Sequence, residues 1–418
     1  MNAIADQTRK GAALVLLLLL VAYILNYLDR QILAILASGI KADLHLSDSQ
    51  FGLLAGPPFA ILYSVLGVPF AFLADRTSRS RVIAAAVAFW SAFTGLCGTA
   101  GTFWHFFIFR MGVGIGEAGG VAPSYALLSD YFAPHRRARA IAIFSLGVPI
   151  GLALGTLIGA YIAHAISWRA AFYTMGIAGV ILAPILLLFV HDPRRTGSTA
   201  APIGQVFPIL ARKPVFWLIA FAASSSSLCG YGLATWTPSV FERSFHMGLI
   251  ARGQFVASGV FIGGCTGVWA GGWFADRLGH LDRGWYAKLP AIAWLITAPT
   301  FVVGLLAPNP WIAWPILLIP NALNIFWLGP VVTSVQHLVA RPMRATASAS
   351  FLLINNLIGL GIGPYLIGAI SDVLKHRYGT EALRYAAVSC TAFYVLAALL
   401  MFLAVAKLRG SWVAEESI

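Results

Sequence analysis

Long apolar blocks alternate with short polar ones along the whole chain, and the blocks have the length of a bilayer crossing. A helix rising about 1.5 Å per residue needs roughly 20 apolar residues to cross the hydrocarbon. Twelve segments meet that length, starting near Ala12, Ser49, Val82, Trp104, Arg139, Trp168, Pro214, Gln254, Trp285, Trp311, Ala345 and Leu383. The longest polar stretch, HDPRRTGSTAAPIGQVFPILARKP from His191 to Pro214, leaves six segments on each side. The pattern predicts an all-α membrane protein of twelve transmembrane helices. Residues 1–190 and 214–418 would form two pseudo-symmetric six-helix bundles, linked by residues 191–213. Arg9 and Lys10 ahead of a leucine run imitate a secretory signal. The apolar stretch continues past signal length without a small-residue cleavage pattern, so it is expected to remain as the first helix.

Composition adds that the surrounding solvent is lipid. Of the residues 59 % are hydrophobic and 10 % charged, with a mean hydropathy of +0.82, against about 25 % charged in a soluble domain. Twelve crossings put both ends on one side, and the basic residues say which. The termini and the loops on their side hold 19 Lys and Arg, the opposite loops hold 7, and Arg30 and Arg110 lie within segments. The positive-inside bias places both termini and the linker in the cytoplasm, as expected of a multi-pass protein of the plasma (inner) membrane. The net charge of +13 follows from that topology, and no nucleic-acid partner is expected. Trp104, Trp168, Trp285 and Trp311 at segment ends suit interfacial anchoring. Cys97, Cys229, Cys265 and Cys390 all fall in apolar segments and read as small packing residues.

The two halves repeat one another. AFLADRTSRSR (Ala71 to Arg81) follows the second segment and GWFADRLGH (Gly272 to His280) the eighth, which sets Asp75 and Asp276 201 residues apart. RARAIA from Arg137 follows the fourth segment and RATASA from Arg344 the tenth, 207 residues later. Internal symmetry of this kind marks transporters. With the A/G-x-x-x-D-R-x-x-R loop, its degenerate copy and the 6+6 layout, essentially the whole chain resembles the major facilitator superfamily. Within it, NYLDRQ (Asn26 to Gln31) and RMGVGIGEAGGVAPSYALLSDYF (Arg110 to Phe132) resemble the Spinster-like group, whose animal members export or salvage sphingolipids and lysolipids. A D-R pair in the first segment also occurs in organic-anion symporters of the superfamily. The Glu of G-x-G-E-A, at Glu117, favours the Spinster-like side.

Asp29, Arg30, Arg110 and Glu117 lie inside the first and fourth segments, where an ionised side chain costs roughly 2.5–3.5 kcal/mol at the bilayer centre. Counting from the segment ends, Asp29 sits about 25 Å and Glu117 about 20 Å into the membrane from opposite sides. Arg110 and Glu117 are two turns apart and share a face, as do Asn26 and Arg30 at i, i+4. Two readings stand open. The charges are neutralised pairs that hold two helices together, or one carboxyl carries a proton whose affinity changes as an Arg moves, since burial and a neighbouring Arg act on it in opposite directions. A proton falling through 100 mV contributes about 2.3 kcal/mol, and each pH unit about 1.4 kcal/mol more. The resemblance implies that Asp29 and Glu117 are the protonation sites, with Arg30 responding to them or meeting an anionic head group.

The resemblance also implies that the first, fourth, seventh and tenth helices surround a cavity. The seventh brings SSSS (Ser224 to Ser227), Tyr231 and Trp236, and the tenth brings Asn321 and Asn324. So short a polar inventory suits an amphiphile with one charged head better than a sugar, since each unmade hydrogen bond in a dry site costs about 1 to 3 kcal/mol. Together with Asn26, Arg30 and Arg110 these are the candidate substrate residues, although the serines serve equally well as packing residues. Gly147, Gly151, Gly155 and Gly159 in the fifth segment, and Gly259, Gly263, Gly267 and Gly271 in the eighth, form rows at spacing four that let backbones approach closely. By resemblance the fifth and eighth helices face each other across the halves, where such a seam would part and reseal. Static packing is the alternative. Pro149 frees a carbonyl and allows a bend. The resemblance further implies a cytoplasmic gate of Asp75, Arg76, Arg79 and Arg137 on one half with Asp276 and Arg277 on the other. His280 stands where Arg79 would map, and a solvated topogenic charge run is the alternative.

Other signals are set aside. GIGEAG (Gly114 to Gly119) satisfies G-x-G-x-x-G but neither follows a strand nor opens a soluble helix, and no G-x-x-x-x-G-K-[ST] occurs. The histidines show no i, i+4 pairing, so no metal site is expected, and no nucleophile constellation marks an enzyme. The expectation is a monomeric, proton-coupled secondary transporter without other cofactor. It would move an amphiphilic, lipid-like substrate of sphingoid or lysolipid type by alternating access, with a small organic anion or drug as the alternative cargo.

Overall fold

The computed structural model describes residues 11–192, 203–279, 281–340 and 343–413, with the side chains of Pro134, Ala138, Ile203, Ala275 and Asp276 left aside. Every regular element among them is helical. The chain divides into two compact units, Met1–Gly197 with Gly248–Ala257, and Ser198–Met247 with Ser258–Ile418.

The first unit holds α1 (Ala12–Ile35), α2 (Ala37–Leu44), α3 (Asp48–Ala55), α4 (Pro57–Arg76), α5 (Arg79–Cys97), α6 (Phe103–Ala118), α7 (Val121–Tyr131), α8 (Pro134–Ser145), α9 (Gly147–Ala165) and α10 (Trp168–Phe189). Polar caps start these helices where apolar sequence resumes after a loop. Ser47 Oγ accepts from Gln50 N at 3.1 Å and the Gln50 side chain accepts from Ser47 N at 2.9 Å, a reciprocal box that opens α3. Ser78, Thr102 and Ser167 cap α5, α6 and α10, each hydroxyl accepting the backbone N–H three residues on. Breaks fall at or just ahead of residues that weaken a helix. Gly119 and Gly120 separate α6 from α7 directly after Ala118, and the fifth segment divides at Leu146, three residues before Pro149, whose missing N–H leaves one carbonyl free.

The second unit holds α11 (Ile203–Ala211), α12 (Pro214–Phe245), most of α13 (Leu249–Gly279), α14 (Trp285–Leu305), α15 (Pro310–Phe326), α16 (Leu328–Gln336), α17 (Arg344–Tyr378), α18 (Ala382–Cys390) and α19 (Ala392–Ser411). Gly379, at φ 54°, adopts the left-handed backbone that turns the chain out of α17.

Ten helical runs among the described residues are long and apolar enough to span a membrane. One of them, Arg344–Ser411, contains two crossings, α17 and then α18 with α19. The fourth segment falls outside the ten because its glycine break leaves pieces of 16 and 11 residues. The chain thus makes the twelve crossings the hydropathy pattern predicts. Trp104 and Trp311 are 66 % and 80 % exposed, as interfacial anchors should be, but Trp168 is buried and donates its indole N–H to Asp43 at 3.1 Å. It ties α10 to α2 rather than facing lipid. Arg169 also pairs with Asp43 and holds that carboxyl below the usual carboxylate range.

Candidate functional site

The first unit brings the four intramembrane charges of the sequence together. Arg30 on α1 reaches Glu117 on α6, with Nε donating to Oε2 at 2.9 Å and Nη2 at 2.8 Å from the same oxygen. Glu117 is wholly buried and the Arg30 side chain is 11 % exposed. The guanidinium is boxed by three rings, Tyr27, Phe59 and Tyr63, at 4.9, 4.8 and 4.7 Å from its Cζ, and Arg110 lies over the other use of Phe59 at 5.0 Å. A cation on a ring face keeps part of its solvation in apolar surroundings. Asp29, also buried, accepts from Thr94 Oγ1 at 3.0 Å and lies within electrostatic reach of Glu117, Arg110 and Arg30. Asn26 is buried beside Glu117. Three buried polar atoms of the cluster, Asn26 Oδ1, Arg110 Nε and Glu117 Oε1, have no hydrogen-bond partner among the described residues. Two acids and two guanidiniums make the site neutral when all are ionised, and one added proton leaves it at net +1.

A second cluster in the same unit contains Asp75 and Arg79. Arg79 donates to Asp75 at 2.7 Å and also pairs with Asp130 of α7, an acid that sequence reading overlooked. Its signal was the LLSDYF run closing the fourth segment. Arg76 stacks on Phe72 at 3.8 Å, and Arg137 Nε donates to Phe132 O at 2.9 Å. In the other half Arg277 lies 5.4 Å over Trp273. The Asp276 side chain, His280 and linker residues 193–202 lie outside the described residues.

The polar residues of the second unit are placed less uniformly. Asn321 donates to Leu317 O and Asn324 accepts from Tyr394 OH, both at 2.9 Å, and both asparagines are half-buried, as is Tyr231. Ser224 is buried with its hydroxyl unpartnered among the described residues, whereas Ser227 donates to Asn355 at 2.9 Å. Trp236 is fully buried and donates its indole N–H to Pro364 O at 2.8 Å. That indole ties α12 to α17.

The glycines of the two rows are closely packed. Side chains added at Gly147, Gly151, Gly155 and Gly159 would meet Tyr23, Ile24 O, Leu28 O and Ile32, all on α1. Those at Gly263, Gly267 and Gly271 would meet Asn321, Ala322 and Phe326 on α15, and Gly259 has more room, with Asn321 Nδ2 nearest at 3.7 Å. Each row packs against a helix of its own unit. The counterpart of Gly151 and Gly155 is Gly359 and Gly363 on α17, against Ser227 and Leu228 on α12. An offset of 208 residues, close to that of the Arg137 and Arg344 repeat, was the signal that could have found them.

Comparison with known proteins follows the same lines. The Major Facilitator Superfamily model matches residues 19–364. An MFS-type efflux pump of Mycolicibacterium smegmatis is 32 % identical over 397 residues, covering 94 % of this chain and 92 % of that protein. Protein spinster of Drosophila melanogaster is 30 % identical over 373 residues, 85 % of this chain and 61 % of its own longer length. The crystal structure of a bacterial homolog to the human lysosomal transporter Spinster, in an inward-facing and unoccupied conformation, superposes with a TM-score of 0.88 at 28 % identity, covering 98 % of this chain and 100 % of that one.

Proposed function

The chain belongs to the major facilitator superfamily and is a multi-pass membrane transporter of the Spinster type, and from that premise we propose that it moves an amphiphilic, lipid-like substrate in exchange for or together with protons. The observation that carries the reading is the Arg30–Glu117 pair, buried with Asp29 and Arg110 between α1 and α6. If alternating access draws Arg30 from Glu117, a buried carboxylate loses its counter-charge, a state costing about 3–5 kcal/mol that proton uptake relieves. Substrate exposure and proton occupancy are then linked through one guanidinium. The ring cage supports the substrate class. A cation with three apolar faces around it offers a phosphate or carboxylate head its counter-charge, and the joined hydrocarbon its contacts, in one place. Both termini are taken as cytoplasmic, in the plasma membrane, with the monomer as the working unit.

The test is uptake into proteoliposomes under an imposed pH gradient, with a labelled lysophospholipid or single-chain sphingoid substrate. Wild type is expected to accumulate it uphill, while Asp29→Asn and Glu117→Gln lose accumulation. Uphill transport by both variants removes the coupling role. A second reading, export of a small organic anion or drug clamped by Arg30 and Arg110, is favoured by the likeness to the M. smegmatis efflux pump. Stabilisation in detergent by short carboxylates but not by lysolipids would select it.

A further inference from the structure

Away from the charge cluster, the second unit carries a groove of about 380 Å³ between the end of α11, the start of α12 and the last turns of α19. Its walls are Trp217, Leu218, Phe221 and Leu400, and Arg212 and Lys407 stand at one end. The surface around it is one that only lipid covers in a membrane, since Phe221, Leu399, Phe402 and Leu403 are all large apolar side chains with 39–63 % exposure. The cations share an end for a topological reason. Helix α12 begins on the side where α19 finishes, so Arg212 and Lys407 lie at the same depth on antiparallel neighbours. Along the axes, Phe221 is about 13 Å from Arg212 and Leu400 about 10 Å from Lys407, the span from a head group to the upper acyl chain. The wall is built, not collapsible. Trp217 donates its indole N–H to Ala211 O at 2.9 Å and stacks on Phe221 at 5.6 Å between ring centroids. Both cations are exposed, and neither forms an ion pair among the described residues.

We propose that this groove binds one anionic phospholipid of the leaflet on the linker side, its phosphate between Arg212 and Lys407 and an acyl chain along Trp217, Phe221 and Leu400. A basic pair on an apolar, lipid-facing wall selects a charged head over a zwitterionic one, because juxtamembrane cations attract anionic lipid and a zwitterion brings its own ammonium. The site belongs to the other unit and shares no residue with the cluster that carries the proposed transport, so it stands or falls independently of that reading.

The experiment uses the full chain in nanodiscs of phosphatidylcholine containing phosphatidylglycerol, followed by native mass spectrometry of the lipid retained on release into mild detergent. Wild type is expected to keep one phosphatidylglycerol in preference to phosphatidylcholine. R212Q and K407Q should each weaken retention by roughly fivefold, and the double variant by about thirtyfold, while R212K/K407R retains it. A charge-matched control, R136Q/R139Q on α8, should behave as wild type. Equal retention by R212Q/K407Q with unchanged melting temperature overturns the site, as does equal loss in the control, which would show general attraction to a basic surface.

Discussion

Glu117→Gln removes one charge from the cluster without changing its shape, and the structure gives the size of the effect. Glu117 is wholly buried and Arg30 nearly so, and deleting one partner of a buried pair costs about 3–5 kcal/mol. Two features lower that figure. The Gln carbonyl still accepts from Arg30 Nε, keeping about half the strength of a charge-assisted bond. The three rings at 4.7–4.9 Å continue to hold the guanidinium. A net loss of about 2 kcal/mol remains, which for a unit of roughly 200 residues lowers the melting temperature in detergent by about 4–8 °C. The double variant R30Q/E117Q replaces both charges with amides that can bond each other, so it should melt above the sum expected from the two single variants, with a coupling of about 1–2 kcal/mol. Thermal unfolding of the four proteins by intrinsic tryptophan fluorescence measures the cycle. If Glu117→Gln melts within about 1 °C of wild type, or the two substitutions add without coupling, the pair does not hold α1 to α6 and the reasoning fails.

Three further outcomes follow from the geometry. Gly155→Ala puts a methyl 2.6 Å from Leu28 O and 2.9 Å from Leu28 Cα, so a loss of about 1–3 kcal/mol is expected, whereas Gly259→Ala, with nothing nearer than 3.7 Å, should be neutral or slightly stabilising in the same melting assay. Trp236→Phe strips the donor from buried Pro364 O and should cost about 1–3 kcal/mol of stability while leaving any substrate-induced rise in melting temperature unchanged. Arg409, together with the Gly284 amide, holds Asp282 below its ordinary value of 3.8. A depressed carboxyl stabilises fully above the unfolded value and loses that contribution as pH falls through the folded one. The gap in melting temperature between wild type and Asp282→Asn should therefore be constant above about pH 5 and shrink below about pH 4.

The topology could be read from hydropathy alone because lipid imposes one length on every crossing, and the breaks fell at Gly119–Gly120 and near Pro149 for reasons visible in those residues. The charges were legible as a group, since nothing apolar explains Asp29, Arg30, Arg110 and Glu117 in lipid. Their pairing was not. Face-sharing along one helix favours Arg110 with Glu117, yet Arg30 takes that carboxylate from another helix, and Phe59 and Tyr63 of α4 complete the cage. Contacts between helices depend on crossing geometry, which a periodic pattern does not encode. For the same reason the pattern alone shows neither the bond from the Trp236 indole to Pro364 O nor the helix on which each glycine row packs.

The repeat shows how the second unit does without buried charge at the matching positions. Arg30 maps about 200 residues on to Gly230, and Glu117 maps 207 residues on to Asn324. The two counterparts also meet in space, for a side chain at Gly230 would lie 2.6 Å from Asn324 Oδ1, which Tyr394 holds by its hydroxyl. The second unit thus keeps the contact between its first and fourth helices but makes it from a bare backbone and a neutral amide. Every buried charged side chain among the described residues, Asp29, Asp48, Arg110, Glu117 and Arg252, belongs to the first unit. A neutral amide held by a phenol offers no carboxyl to take up a proton, so the proposed mechanism assigns proton uptake to the first unit. Asn324→Asp, which puts a carboxyl against the backbone of Gly230 where the first unit has Arg30, would under that proposal add a second proton site without its switch.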